Sequence, residues 1–420
     1  MALIVLALRS LWNRRTTAAL TISAIAISVT LLLSVENLRA AARDGFANTL
    51  SGADLIVGAR SGPINLLLYS VFRIGDATAN VTWESYQKIA KHPDVDWSIP
   101  ISLGDSHRGF RVMGTSLDYF AHYRFAGDQT LKFAQGRAWS DLYDAVLGAD
   151  VAAQLHYRLG DPIVLAHGIG SVSFAQHRDK PFRVAGILRR TGTPVDRTVH
   201  VSLQAITAIH LDWQSGMQAP PGARVSAEDA RHRNLTPDSV TAFILGMKSK
   251  VMVFVMQRAI NEYREEPLLA IIPGVALQQL WSLLGVADQA LMLIAAFVVL
   301  AGLLGMLTSI LTSLNERRRE MAILRSVGAP PRDIFLLLIL EAGVLALLGV
   351  LFGTALAYLL LAIAQPVLIN RFGIFVRVSM LRGNDVVILA AIVIAALGIG
   401  AIPAWRAYRH SLADGLTVRV

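Results

Sequence analysis

Apolar and polar positions divide this chain into long apolar runs near both ends and a polar middle. Four runs approach or exceed the roughly 20 residues that a helix needs to cross a bilayer. They are Thr16–Leu33, Val286–Leu314, Ile334–Leu361 and Val386–Ala401. The pattern predicts a membrane α-helical protein with four transmembrane helices, one before the polar middle and three after it. Residues 1–42 and 285–420 then form the membrane part.

The polar middle, residues 43–284, has the pattern of a folded domain outside the membrane. Alternating runs such as Phe110–Thr115 predict strands, and periodic runs closed by Gly or Pro, such as Thr82–Pro93 and Leu147–Asp161, predict helices. Further strands are predicted at Asp54–Ala59, Ile163–Ala166, Phe182–Leu188, Thr198–Ser202, Ser239–Met247 and Leu268–Ile272. Further helices are predicted at Leu203–Trp213 and Lys250–Arg264, and another helix leads from the last strand into the second apolar run. This mixture predicts an α+β domain in which an inner lobe, near residues 124–237, is inserted between flanking halves.

The segment between the second and third runs, residues 315–329, combines many charges with helical periodicity. Its charged residues are Glu316, Arg317, Arg318, Arg319, Glu320 and Arg325. Met321, Leu324 and Val327 recur at helical spacing, and Gly328 followed by two prolines predicts a defined end. A short Arg-rich loop indicates the cytoplasmic side. We interpret it as an amphipathic helix on which a cytosolic partner acts; a passive positively charged loop is the alternative.

The charges that flank the runs predict the topology. Arg9, Arg14 and Arg15 precede the first run and indicate a cytoplasmic N-terminus. Four spans then return the C-terminus to the cytoplasm, with the polar domain on the opposite side. Arginines between the third and fourth runs count against this topology, but the inner segments together carry more. A secretory signal peptide cut near Ala40-x-Ala42 is the alternative, and the first run exceeds the usual signal core of about 7–15 residues.

Composition excludes several function classes. Apolar residues make up 54% of the 420 residues. Charged residues make up only 16%, well below the charged share of soluble domains. The net charge of +9 comes without a basic run interleaved with aromatic residues, so no nucleic-acid partner is expected; anionic lipid headgroups are the expected counter-charge. The absence of cysteine excludes thiol chemistry, disulfides and Cys-based zinc sites.

Three stretches resemble one known family. Ala7–Val29, Glu316–Ala342 and Ile402–Leu416 are similar to the entry into the first span, the charged inter-span segment and the closing motif of ABC-transporter permeases of the group that includes FtsX, MacB and LolC/LolE. The second proline of the closing motif is absent here. Arg108–Phe120 and Phe182–Leu188 resemble the outer domain of that family more loosely.

The resemblance implies partners and an ATP-driven function. It implies two permease copies, as a homodimer or a related heterodimer, above a separate ATPase dimer that carries ATP and Mg. In the family, the segment matching Glu316–Ala329 docks in a cleft of that ATPase, where the charges would pair and Met321 and Leu324 would make buried contacts. The location implied is the bacterial inner membrane, with the outer domain in the periplasm. The chain has no Gly-Lys dipeptide, hence no phosphate-binding loop. We expect neither enzyme activity nor a bound cofactor in this chain.

Three functional hypotheses remain at this stage. The first is a permease subunit whose partner's ATP hydrolysis drives lipoprotein release, export or handover of a substrate to a periplasmic adaptor. The second is a transducer of FtsX type that controls a periplasmic hydrolase and transports nothing. The third, a receptor without an ATPase, is disfavoured by the charged segment.

Two features of the third run are also candidates. Glu341 lies in an apolar run, where a carboxylate costs about 2.5–3.5 kcal/mol on insertion scales, so it is either functional or held in a structural ion pair. We favour the structural pair. Gly349 and Gly353 form a small-xxx-small pattern that lets helices approach closely.

The histidines give a weaker signal. All of the ten except His410 lie in the polar domain, and none forms a His-x-His or His-x-x-x-His pair of the kind that marks a metal site. His167, His177 and Asp179, or His210 and Asp212, are the groups that the fold could bring together. Because surface or hydrogen-bonded histidines are the usual case, no metal site is predicted.

Overall fold

The computed structural model describes residues 2–47, 49–168, 176–214, 217–219, 224–316, 321, 323, 325–326, 328–368, 381 and 383–409. They form two compact units. The helical unit contains the described residues of Met1–Ala41, Gly285–Leu368 and Val376–Val420. The sheet unit contains those of Ala42–Leu284.

Helices occur in both units. They are α1 (Ala2–Asn13), α2 (Arg15–Ala47), α3 (Pro63–Leu67), α4 (Trp83–Ala90), α5 (Asp118–His122), α6 (Ala149–Leu155), α7 (Leu203–His210), α8 (Ala227–Arg231), α9 (Met252–Asn261), α10 (Pro273–Glu316), α11 (Pro331–Val367) and α12 (Gly383–Arg409). A π-helical turn (Leu68–Phe72) follows α3, and a 3-10 turn (Pro194–Arg197) precedes one of the central strands.

The strands lie in the sheet unit. They are β1 (Leu55–Ala59), β2 (Val81–Thr82), β3 (Val95–His107), β4 (Phe110–Thr115), β5 (Arg124–Phe125), β6 (Gln129–Thr130), β7 (Phe133–Gly136), β8 (Asp144–Leu147), β9 (Pro162–Ile163), β10 (Ala166–His167), β11 (Phe182–Leu188), β12 (Thr198–Ser202), β13 (Trp213–Gln214), β14 (Met217–Gln218), β15 (Ser239–Val240), β16 (Ala242–Met247) and β17 (Leu268–Ile271).

Four helices of the described chain, α2, α10, α11 and α12, are long and apolar enough to cross a membrane, which confirms the predicted number. Each extends beyond the apolar run that predicted it. The 44 residues of α10 correspond to about 66 Å at 1.5 Å per residue, roughly twice the thickness of a hydrocarbon core. Hydropathy marks only the apolar part of such a helix, which is why the run begins at Val286; the helix predicted to lead into this run is the first part of α10, from Pro273.

Polar side chains connect α2 to two other helices of the unit. The Ser28 hydroxyl donates to the carbonyl of Val298 at 3.0 Å, and the Thr30 hydroxyl donates to the carbonyl of Gly353 at 3.0 Å. Hydrogen bonds and close packing hold helices together in lipid, where burial of apolar surface adds little. These contacts place α10 and α11 against α2.

A mixed sheet forms the centre of the other unit. Its order is β17-β1-β16-β3-β4-β12-β8-β11-β7, with β10 paired to β3 and β9 paired to β11. The pairs β4/β12 and β8/β11 are parallel, and the other pairs are antiparallel. Because β1 pairs with both β16 and β17, the beginning and the end of the domain share one part of the sheet. The predicted α+β fold class is confirmed.

Two apolar clusters cover different parts of this sheet. One joins α4 and α9 to β1, β16 and β17 through residues such as Tyr86, Phe243 and Met256. Another joins α6 and α7 to β4, β8, β11 and β12 through residues such as Val151, Val199 and Ile209. The second cluster therefore fixes the position of α7, whose last residue is His210.

The sequence patterns missed two central strands, β3 and β8, and misplaced several helix ends. β3, the longest strand, contains Pro100 and several polar residues, which argue against a central strand, yet it lies between β16 and β4. The helix predicted from Leu147 begins at Ala149 because Leu147 belongs to β8. It ends where His156 adopts φ 57°, four residues before Gly160. α7 ends at His210, so Trp213 lies in β13 rather than in the predicted helix.

Candidate functional site

The charged segment between α10 and α11 is described only in part. Arg317, Arg318, Arg319, Glu320 and Leu324 lie outside the described residues, as does the side chain of Glu316. Met321 and Arg325 are helical and half-buried, and Met321 packs against the apolar core of the helical unit. Gly328 adopts φ 104°, and its N–H donates to the carbonyl of Arg325 at 3.1 Å. Ala329 follows before α11 begins.

Ile323 is an exposed apolar residue in this segment that the sequence did not single out. Half of it is exposed (51%), whereas Met321 contacts its own chain. Residues two apart point in different directions on a helix, so one of them faces the core and the other faces outward. Helical spacing in the sequence placed Met321 on an apolar face of the predicted helix. It gave no information about which face of that helix other helices cover.

In α11, the three candidate residues are all buried. Glu341 is 5% exposed. A Cβ added to Gly349 would lie 2.6 Å from Ile25 Cγ2, and one added to Gly353 would lie 2.6 Å from the carbonyl oxygen of Ala26. Both glycines therefore lie at close contacts between α11 and α2, and neither position has room for a side chain.

The sheet unit brings four residues with metal-ligating side chains together. Asp105 lies near the end of β3, and His167 lies opposite it in the antiparallel pairing with β10. His177 follows, with its backbone N–H donating to the carbonyl of Leu165 at 2.9 Å. His210 is the last residue of α7. One ligand atom from each of these four side chains lies within 4.8 Å of all the others.

The individual distances within this cluster are short. Asp105 Oδ1 lies 3.3 Å from His167 Nδ1, 3.5 Å from His210 Nε2 and 4.0 Å from His177 Nε2. His210 Nε2 lies 3.0 Å from His167 Nδ1. Asp105 and His177 are almost fully buried, whereas the side chains of His167 and His210 are 44% and 27% exposed. The cluster thus has a buried base and an open side.

Burial and mutual contacts determine the charge states of the residues in this cluster. Burial by itself would raise the pKa of Asp105, but the neighbouring His167 and His210 outweigh it and lower that pKa to about 2. Burial lowers the pKa of His177 to about 4. Burial would also lower the pKa of His210, but the contact with Asp105 raises it. At neutral pH, Asp105 is an anion and His177 is neutral, so both are in the form that binds a cation.

The cluster opens into a cleft and is bordered by an aromatic ring. Asp105, His167 and His210 line a cavity of about 440 Å³. Trp213 stacks on His167, with ring centroids 5.1 Å apart and an angle of 15° between the planes. His210 Nδ1 lies 2.8 Å from the carbonyl of Ile206, to which it donates as the N–H tautomer. When this ring is neutral, its lone pair is on Nε2, the nitrogen that faces Asp105 and His167.

The two aspartates considered from the sequence are not part of this cluster. Asp179 and Asp212 both accept hydrogen bonds from the buried ammonium of Lys180, at 3.0 Å and 2.6 Å. The carboxylate of the cluster is Asp105, which the sequence did not suggest. No local spacing connects it with the three histidines; they meet through the register of β3 and β10 and the end of α7.

The chain has four candidate membrane helices, with an α+β domain between the first and the second. This is the architecture of a membrane permease with a large domain outside the bilayer. Family models agree. The MacB-like periplasmic core domain matches residues 18–235, just over half of the chain, and the FtsX-like permease C-terminal domain matches residues 292–412. The chain belongs to the FtsX/MacB family of ABC transporter permeases.

The chain is also similar to an individual permease. An uncharacterized ABC transporter permease of Methanocaldococcus jannaschii is 24% identical over 229 residues, which are 54% of this chain and 50% of the relative. The chain thus spans about half the length of this curated relative.

Two solved structures are similar at low scores. The periplasmic region of MacB from Actinobacillus actinomycetemcomitans has a TM-score of 0.33 and 11% identity, covering 55% of this chain and 94% of that one. The extracellular domain of the noncanonic ABC-type transporter YknZ from Gram-positive bacteria has a TM-score of 0.30 and 11% identity, covering 52% and 98%.

Proposed function

We propose that this permease couples ATP hydrolysis by a separate ATPase subunit to conformational work in its outer domain, through the segment of residues 315–329. The observation that carries this proposal is the composition of that segment. It holds five basic and acidic residues in succession, Glu316 to Glu320, between two span-length helices, and it lies inside the FtsX-like match. A compact charged segment of this kind offers a partner both complementary charge and a defined shape.

The described residues of the segment support a docking surface. Ile323 exposes its apolar side chain, and Met321 packs against the core of its own unit. Met321 therefore holds the segment to its own unit, and Ile323 is exposed for contact with a partner. A well-packed apolar contact surrounded by charges is the usual arrangement at the centre of an interface. Ile323 is the residue we assign to that centre.

Force transmission fits this molecule better than a wide pore. Four spans per copy are too few to surround a broad channel, whereas α10 is one helix of 44 residues that begins in the outer domain and ends at the charged segment. Movement of the segment by the ATPase would be transmitted along α10. The outer domain then acts in lipoprotein release, in export or in handover of a substrate to an envelope partner.

The proposed assembly contains two permease copies and an ATPase dimer that carries ATP and Mg. It lies in the inner membrane, with both termini and the segment in the cytoplasm and the sheet unit in the periplasm. The arginines at 317–319 beside α10, and Arg9, Arg14 and Arg15 at the other end, support this orientation.

The test is Ile323→Asp in the full-length permease, co-expressed with its ATPase subunit. We expect roughly a tenfold loss of co-purified ATPase, the effect of removing an interface contact worth about 1.4 kcal/mol, together with loss of permease-dependent ATP hydrolysis. A second variant reverses the charges at Arg318 and Glu320 and also replaces Met321. The matched control is Val251→Asp, which alters an apolar residue of the sheet unit that is 78% exposed. Unchanged co-purification and hydrolysis in both segment variants would refute the proposal.

A further inference from the structure

The cluster in the sheet unit has the dimensions of a metal centre. In a tetrahedral zinc site with bonds of about 2.0–2.1 Å, neighbouring ligand atoms are roughly 3.3 Å apart. Four of the six separations in the cluster, 3.0, 3.3, 3.5 and 4.0 Å, lie around that value, and all of them are within 4.8 Å. A cation placed among Asp105 Oδ1, His167 Nδ1, His177 Nε2 and His210 Nε2 would contact all of them after small side-chain movements.

Unsatisfied polar atoms give the second, independent observation. His177 is 1% exposed, and within the described part of the chain neither of its ring nitrogens has a hydrogen-bond partner. Asp105 Oδ1 is also buried; its contacts with the histidines are close but lack hydrogen-bond geometry. Buried polar atoms in folded proteins are normally satisfied. Ligation of a cation would give a partner to His177 Nε2 and to Asp105 Oδ1.

The surroundings hold the ligands as outer-shell groups do in metal sites. The carbonyl of Ile206 accepts from His210 Nδ1, so the neutral ring has its lone pair on Nε2 and can bind a cation there. A ligating histidine usually has such a carbonyl or carboxylate partner on its other nitrogen. Trp213 stacks on the ring of His167 and restricts its rotation. The cleft beside His167 and His210 supplies a route for the ion.

We propose that the outer domain binds one divalent transition-metal ion of the zinc class through Asp105, His167, His177 and His210. Three imidazoles and one carboxylate suit Zn²⁺, and also Co²⁺, Ni²⁺ and Cu²⁺, whereas Ca²⁺ and Mg²⁺ prefer oxygen ligands. Four protein ligands complete a tetrahedron, which is typical of a site that holds a metal and not of a hydrolytic centre with an open position. The inference stands independently of the proposed ATPase coupling.

The first test measures metal content. Tag-free full-length protein in detergent is stripped with EDTA, dialysed against micromolar ZnCl₂ and analysed by mass spectrometry for bound zinc. We expect about one zinc per chain, retained in excess Mg²⁺ and Ca²⁺. Asp105→Asn, His177→Gln and His210→Gln should each lose this zinc. His232→Gln, at an exposed histidine outside the cluster, is the matched control and should retain it. Equal zinc in all five proteins would overturn the proposal.

The second test separates loss of the site from loss of the fold. At free zinc of about 100 times the dissociation constant, binding to the native state alone lowers the unfolding equilibrium constant about 100-fold. The thermal midpoint of the wild type and of His232→Gln should therefore rise on adding ZnCl₂, and that of His210→Gln should not. In EDTA, all three should unfold cooperatively. A midpoint of the wild type that is insensitive to ZnCl₂ would overturn the proposal.

A spectroscopic measurement tests the geometry. Co²⁺ bound in place of zinc should give the intense visible absorption of a four-coordinate complex, and His177→Gln should abolish it. The weak spectrum of a six-coordinate ion in the wild type would contradict the assigned ligand set.

Discussion

Nε2 of His210 lies 3.0 Å from Nδ1 of His167, although 43 residues separate the two histidines in the chain. One ends a helix and the other lies in a two-residue strand. Neither would be expected beside the other from local spacing. Their proximity results from the packing of α7 on the sheet, and Asp105 completes the group from the neighbouring strand.

The first prediction concerns the approach of α11 to α2. A Cβ at position 353 would lie 2.6 Å from the carbonyl oxygen of Ala26 and 2.7 Å from Val29 Cβ, so Gly353→Ala forces the helices apart. We expect it to destabilise the protein by about 1–3 kcal/mol, the usual cost of overpacking. Thermal unfolding in detergent measures the effect. Gly305→Ala is the control, because a Cβ there meets no described atom within 4 Å; equal midpoints for both variants would contradict the packing.

The second prediction concerns the ion pair of Lys180 and Asp212. Both side chains are buried, at 1% and 0% exposure, and Asp212 also accepts the Val225 N–H at 2.8 Å. Lys180→Met leaves this carboxylate buried without its cation, which typically costs about 3–5 kcal/mol. Urea unfolding of the full-length protein measures the loss.

The double variant Lys180→Met/Asp212→Leu serves as the internal check on this ion pair. It removes both charges and should recover part of the stability. Lys88→Met, at an exposed pair with Glu265, should change little. A Lys180→Met protein as stable as the wild type would show that the pair is not buried in solution.

The third prediction concerns acid sensitivity. His200 is fully buried and donates from Nδ1 to the carbonyl of Val146, 3.2 Å away. Burial, together with the nearby charge of Arg73, lowers its pKa to about 3. Between pH 6.5 and 3 the unfolded chain binds a proton at this position that the folded chain does not. Stability is therefore lost as pH falls through this range, by up to about 1.4 kcal/mol per pH unit.

The His200→Gln variant isolates this effect. Urea midpoints measured from pH 7 to pH 4 should fall less steeply for the variant than for the wild type. The other buried titrating groups, including His177 and Asp196, are present in both proteins and cancel in the difference. Parallel pH profiles would contradict a buried neutral His200.

The fourth prediction concerns orientation in the membrane. Because the chain contains no cysteine, single cysteines can be introduced without a background. Ser326→Cys and His232→Cys replace exposed residues in the charged segment and in the sheet unit. A membrane-impermeant maleimide applied to intact spheroplasts should label His232→Cys and should label Ser326→Cys only after lysis. Labelling of both before lysis would refute the proposed topology.

Several features of the molecule were predictable because they depend on short stretches of chain. Hydropathy summed over a window predicts a membrane helix, and the four runs became four helices. The end of the charged helix was predictable because only a residue such as Gly328 readily adopts φ near 104°. The strands at Phe110–Thr115 and Phe182–Leu188 were also predicted at their observed bounds. The family resemblance rested on such contiguous stretches as well.

The sequence named His167 and His177 as one possible group and His210 in another, but the complete cluster with Asp105 was not predictable because it depends on pairing between distant segments. The strand that carries Asp105 contains Pro100 and lacks regular alternation, so the sequence did not indicate β3 at all. A shift of one residue in the β3/β10 register would turn His167 to the other face of the sheet. Likewise, only the packing of the helical unit distinguishes Met321, which contacts its own chain, from Ile323, which is exposed.

Local chemistry was thus sufficient to determine the membrane helices, the fold class and the family, since hydrophobicity and backbone preference act over a few residues at a time. The tertiary structure alone decided which carboxylate joins the three histidines and which apolar residue of the charged segment faces outward. Both depend on contacts between residues far apart in the chain, and such contacts form only when the sheet and the helices pack.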